Sequence, residues 1–152
     1  MQKRRGISPV IATVIIVAVT IAVAIAVAFW MTGIVGLFTS AEKLEIVALY
    51  AQPSTSQNAP GWNVTLAVRN TGTTPTSIDM IFINGVPHTQ CSGVSINQTL
   101  PLAVNPGITK TIKLNIDKGA TCGSGTLVAG GSVEVKLHTT GGKEYPKLTV
   151  LP

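Results

Sequence analysis

The sequence predicts an α+β protein, a long hydrophobic N-terminal helix followed by an all-β head, and three observations carry that prediction. After Lys3-Arg4-Arg5 no charged residue occurs until Glu42. The stretch between them, VIATVIIVAVTIAVAIAVAFWM from Val10, is almost pure Val, Ile and Ala, and apart from Trp30 its only polar side chains are those of Thr13 and Thr20. Beyond Glu42 short runs rich in Val, Ile, Leu and Thr alternate with turn residues. The chain accordingly divides into a leader over residues 1–6, a hydrophobic helical segment over 7–52 and a globular head over 53–152.

The helical segment comes first. About 20 apolar residues cross a bilayer, and a lone span in lipid must be a helix because only a helix satisfies its own backbone groups. Ser8 followed by Pro9 reads as the helix start, since Ser is a favoured N-cap and Pro at the first helical position gives up an N–H that had no partner. The basic residues Lys3, Arg4 and Arg5 favour the cytoplasmic side, which sends the C-terminal part outward. From Pro9 to Ala41 a helix would be roughly 50 Å long, against a hydrocarbon core of about 30 Å. Trp30 falls near the expected outer interface, and Gly33 and Gly36 suggest a bend in the excess length. Ala18, Ala22 and Ala26 recur every fourth residue, and Ala24 and Ala28 form a second stripe. Small residues at that spacing let helices approach closely.

The leader differs from an ordinary secretory signal, in which a shorter apolar region precedes a small-residue cleavage site. Here the small residue, Gly6, stands before the apolar run, so cleavage between Gly6 and Ile7 would remove the charged leader and keep the helix. Lys3-Arg4-Arg5-Gly6 followed by ISPVIATVIIVAVTIAVAIAV closely resembles the N-terminus of archaeal type IV pilins, especially those of thermoacidophilic and hyperthermophilic lineages. The resemblance covers roughly residues 1–40. It implies processing by a class III signal peptidase, extraction from the membrane by an assembly ATPase and platform protein, and assembly of the mature helices into the core of an extracellular filament. Archaellins, the related swimming-filament subunits, share the architecture, but their helices are less similar to this SPVIATVI opening. Bacterial type IV pilins usually carry Glu at the fifth mature position, where this chain has Ile11.

In the head, β-type runs fall at Asn63 to Arg69, Ser77 to Ile83, Val94 to Val104, Lys110 to Ile116, Val133 to Thr139 and Leu148 to Leu151. Residues 43–51, KLEIVALYA, fit either the last helical turns or a first strand. Asn84-Gly85 is a strong two-residue hairpin signal, and Gly141-Gly142 a second. About seven short strands over roughly 100 residues suit an immunoglobulin-like antiparallel sandwich, and the pilin resemblance implies the same kind of head.

Cys91 and Cys122, the only cysteines, both fall in the part expected to face outside, where an even count predicts a disulfide. Asn63-Val64-Thr65 and Asn97-Gln98-Thr99 match the N-glycosylation acceptor pattern. No catalytic constellation is visible. His88 and His138 are far apart, and Asp79, Asp117, Glu134 and Glu144 are not paired at motif spacing, so neither acid–base catalysis nor a metal site is expected. No cofactor is expected either, because GATCGSG and AGGS lack a phosphate-cradling arrangement. Without Lys3, Arg4 and Arg5 the net charge falls from +5 to +2, and the remaining basic residues are scattered, which argues against nucleic acid as a partner. The reading is a non-enzymatic subunit that polymerises with copies of itself, is inserted in the cytoplasmic membrane before assembly, and serves surface adhesion as an extracellular filament. The alternative is a single-pass membrane-anchored extracellular binding module.

Overall fold

The computed structural model describes residues 8–54 and 60–152. The leader, residues 1–6, and the Gly6–Ile7 bond lie outside the described residues. The chain forms two compact units, residues 1–40 and 41–152.

The first unit is one helix, α1, Pro9–Thr39. Ser8 occupies the N-cap position with Pro9 behind it, and the Ile11 and Ala12 N–H groups donate to the Ser8 carbonyl at 3.0 and 3.1 Å. The Ser8 hydroxyl makes no capping bond; the Ile11 N–H it could have received is already engaged by the Ser8 carbonyl. The helix runs on through Gly33 and Gly36 without interruption.

It ends at Thr39, not at residue 52. Residues 44–53 belong to the head as a strand, and the reason is visible in burial: Leu44 and Ile46 are buried while Glu45 and Val47 are exposed, a period of two. The helical segment of 7–52 and the head beginning at 53 are thus corrected to a boundary at Ser40/Ala41.

The second unit is built from β1 (Leu44–Pro53), β2 (Gly61–Asn70), β3 (Thr76–Ile83), β4 (Val86–Pro87), β5 (Ser92–Ile96), β6 (Leu102–Val104), β7 (Thr109–Cys122), β8 (Gly125–Thr126), β9 (Ser132–Thr139) and β10 (Glu144–Val150). One antiparallel sheet has the order β1-β2-β7-β5, with β8 folded back on β7. The other has the order β10-β9-β3-β4, with β6 also paired to β3. Taken in chain order, these are the ABED and GFC sheets of an immunoglobulin-like sandwich. The predicted run from Val94 to Val104 is two strands in different sheets, because the chain changes layer across residues 97–101.

Alternation builds the core. Trp62, Val64, Leu66 and Val68 of β2, Ile112, Leu114 and Ile116 of β7, and Val133, Val135 and Leu137 of β9 point inward. Their neighbours Asn63, Thr65, Lys113 and Lys136 point out. Asn70 is the one fully buried amide among the core residues, and it is satisfied: Nδ2 donates to the Thr74 and Val104 carbonyls at 2.8 Å each, and Oδ1 accepts from the Gly72 N–H at 2.9 Å. Asn84 and Gly85 have φ of 50° and 81°, both positive as a type I′ hairpin turn requires. At the β9–β10 connection Thr139 N–H donates to the Lys143 carbonyl at 3.0 Å, leaving three residues, 140–142, in the loop. Only Gly142 of the glycine pair takes a positive φ there, 76°.

Candidate assembly surface

The surface that sets this chain apart is α1. Every residue from Pro9 to Gly36 is exposed except Ala12 and Ile34, which are half-exposed. Val10, Ile16, Phe29, Trp30 and Met31 each leave more than 60% of their surface uncovered. A surface helix of a globular protein has one apolar stripe and one polar face; over Pro9–Gly36 this helix has no polar face. The hydroxyls of Thr13, Thr20 and Thr32 are turned back onto the helix itself. Thr13 donates to the Val10 carbonyl and Thr20 to the Val17 carbonyl, both at 2.8 Å, and Thr32 to the Phe29 carbonyl at 2.9 Å. Such back-bonding to the preceding turn removes the donor from any need for water. The span Pro9–Gly36 is long and apolar enough to cross a membrane.

The helix is also longer than a membrane needs. Its 31 residues extend roughly 46 Å at about 1.5 Å each, half as long again as a hydrocarbon core of about 30 Å. The alanine stripes divide around it. At about 100° per residue, Ala18, Ala22 and Ala26 lie on one side, and Ala24 and Ala28 on the roughly opposite side. All five are exposed. Shallow grooves beside Ala18 and Ala28, of about 370 and 390 Å³, are lined by Val14, Val17 and Ile21 in one case and by Met31, Thr32 and Val35 in the other. At about 100° per residue, both grooves open on the same side of the helix, the side of Ala24 and Ala28.

In the head, Cys91 and Cys122 form a disulfide, with Cα atoms 4.3 Å apart and a separation of 31 in sequence. It clips the start of β5 to the end of β7, next to the Ser92–Thr121 pair. Asn97 stands exposed just after β5, its Oδ1 accepting the Lys113 N–H at 2.7 Å. Asn63 is half-buried on the central strand β2, between Gln52 of β1 and Asn115 of β7. The two acceptor motifs therefore offer unequal access.

Two arrangements escape sequence reasoning because register alone creates them. His138 Nδ1 lies 2.7 Å from Asp79 Oδ1, at the irregularity between Ile78 and Met80 that turns Asp79 outward. The His138 ring meets Phe82 edge-on, and Lys136 lies over Phe82 while pairing with Glu144 at 2.9 Å. The other is a cleft on the opposite sheet, lined by Asn63, Ser95, Asn115 and Asp117. His88 sits apart, its Nδ1 3.2 Å from the Ile81 carbonyl. Among the described residues no three His, Cys, Asp or Glu side chains converge as metal ligands would.

No protein-family model and no curated protein sequence matches this chain. Among solved structures, it is similar to the archaeal flagellum of Methanospirillum hungatei strain JF1, with a TM-score of 0.51 at 16% identity, over 93% of this chain and 88% of that one. A match over 93% takes in more than the head alone could supply, so the shared fold is the helix together with the sandwich. The apo PCuAC domain from PmoF1 is also similar, with a TM-score of 0.49 at 12% identity, over 74% of this chain and 98% of that one.

Proposed function

We propose that this chain is the structural subunit of an extracellular archaeal filament of the type IV pilus kind, with attachment to surfaces as its role and no catalytic activity. The observation that carries the proposal is α1, a helix apolar on every side, longer than a bilayer, and carrying alanine stripes on two sides. A single-pass anchor needs neither the excess length nor a second close-approach face; a helix in the middle of a packed filament needs both. The likeness in fold to a subunit of an archaeal flagellum supports a filament. The SPVIATVI opening favours a pilus over a swimming filament.

In this reading the precursor sits in the cytoplasmic membrane with Lys3, Arg4 and Arg5 inside. A class III signal peptidase cuts between Gly6 and Ile7, and an assembly ATPase with its platform protein lifts the helix out. Val, Ile and Ala side chains then exchange lipid contacts for dense contacts with other copies, and close packing supplies the dispersion attraction that makes the exchange favourable.

The test is to shear cells, pellet the released material, and examine it by negative-stain microscopy and mass spectrometry. Filaments containing this chain as the principal protein, with an N-terminus at Ile7, are the expected result. A chain that stays wholly in the membrane fraction with no filaments would overturn the proposal in favour of an anchored module.

A further inference from the structure

The outer face of the first sheet carries a row of amides and hydroxyls set by strand register. Gln52 pairs with Asn63, Asn63 with Asn115, and Asn115 with Ser95, so four neighbouring strands present one polar side chain each at the same level. Asp117 is the next outward position on β7. Asn63, Ser95, Asn115 and Asp117, with Ser54 and Trp62 beside them, line a cleft of about 350 Å³. Among the described residues the side chains of Asn63, Ser95, Asn115 and Asp117 have no hydrogen-bond partner.

The chemistry of this lining is selective. Each amide offers two donors and an acceptor, the hydroxyl one donor and two lone pairs, and the carboxylate acceptors only. Among the described residues no Lys, Arg or His lines the cleft, and Asp117 would repel an anion. Trp62 and Ile116, the large apolar residues there, are turned into the core, which leaves little surface for a lipid or an aliphatic chain. What remains is a neutral molecule dense in hydroxyl groups. Adjacent strands lie about 4.8 Å apart, a spacing on the scale of one sugar ring. The donors stand on paired strands, with β5 tied to β7 by the Cys91–Cys122 bridge, so little freedom is lost on binding.

We propose that this cleft binds a neutral saccharide through Asn63, Ser95, Asn115 and Asp117. The proposal concerns the head alone and holds whether the head rides on a filament or on a membrane anchor. It requires an unmodified Asn63, since a covalent glycan there would fill the cleft.

The experiment uses the full chain in zwitterionic micelles, which carry no sugar headgroups, and reads binding of glucose-, mannose- and N-acetylglucosamine-based di- and trisaccharides by calorimetry and ligand-observed NMR. At least one should bind, and Asn115→Ala and Asp117→Ala should each weaken it by about tenfold, as loss of a hydrogen bond to a buried polar ligand does. Lys136→Ala on the other sheet should leave it unchanged. Ser95→Ala, on the edge strand, provides a milder variant if a thermal melt shows either of the others misfolded, and it should weaken binding in the same direction. Three results overturn the proposal: no binding of any probe up to about 10 mM, binding indifferent to all three cleft variants, or an intact mass that places a glycan on Asn63. Binding of calcium alone, abolished in Asp117→Ala with no sugar bound, would assign the cleft to a cation instead. Filament formation is read separately by microscopy, so the two proposals fail independently.

Discussion

Ala22 lies at the middle of the apolar span Pro9–Gly36, and replacing it by Asp tests what α1 is for. Thirteen or fourteen residues separate it from either end, roughly 20 Å at about 1.5 Å per residue, too far for a short carboxylate to reach water. No charged residue lies anywhere between Arg5 and Glu42 to pair with it. On the insertion scale a charge at the centre of a membrane helix costs about 2.5 to 3.5 kcal/mol, which is about a 60- to 300-fold loss in the insertion equilibrium. In the proposed filament the penalty would recur at every subunit, with like charges from neighbouring copies added. Ala22→Asp should therefore abolish sheared filaments. Lys113→Asp, at an exposed position on the outer face of β7, should leave their number unchanged. The assay counts filaments per cell by negative stain, with immunoblots of membrane and sheared fractions and a non-reducing gel to show that the head still forms its disulfide. Normal filaments from Ala22→Asp would show that the helix is not the filament core.

The other predictions concern the head. The double substitution Cys91→Ser/Cys122→Ser opens a loop of 31 residues and should cost about 3.7 kcal/mol in the chain-entropy picture, lowering Tm by on the order of 15 °C in a calorimetric scan. Gly72→Ala would place a Cβ against the Ala41 carbonyl oxygen and 2.6 Å from the Lys43 nitrogen. Both are backbone atoms, so the variant should lose roughly 1 to 3 kcal/mol in chemical denaturation. Asn97, exposed at a strand end, is the acceptor expected to carry a glycan: Thr99→Ala should reduce the intact mass by one glycan, and Thr65→Ala should not change it beyond the substitution itself.

Sequence showed the helix because nothing but Val, Ile and Ala in unbroken succession is needed to recognise it. It left its end open because LEIVALY satisfies both periods. Burial decides the matter: Leu44 and Ile46 face the core, and after the irregularity at Val47 it is Leu49 and Ala51 that turn inward. The hairpin at Asn84-Gly85 was legible for a local reason, two positive φ angles at residues suited to them. What local chemistry does not encode is the pairing of distant strands. Asn63, Ser95 and Asn115 become neighbours only through the order β2-β7-β5, and Asp79 meets His138 only because β3 slips register at that point. Asn70 reads as a turn residue, yet its buried amide joins two carbonyls and an N–H from three places in the chain.

The same division explains how a head can be carried at high density without aggregating. In the proposed filament, copies of the sandwich are held side by side, and unpaired strand edges would invite sheet-to-sheet addition. Each edge here is guarded by a different device. At one side of the sandwich Lys147 Nζ donates to the Ile46 carbonyl at 2.8 Å, and Lys143 Nζ to the Glu42 carbonyl at 2.7 Å. The two lysines of β10 and its turn thereby occupy carbonyls along and just before β1, and they place charge where another strand would have to dock. At the other side β5 is only five residues long, shifts register between Ser92 and Val94, and is clipped at its start by the disulfide. β4, the far edge of the second sheet, has two residues. In the proposed filament, attraction between copies would thus be concentrated in α1, where every side is apolar, while the guarded strand edges of the head would limit competing pairing. On that proposal the chain would polymerise through one element and keep the other free to meet what lies outside.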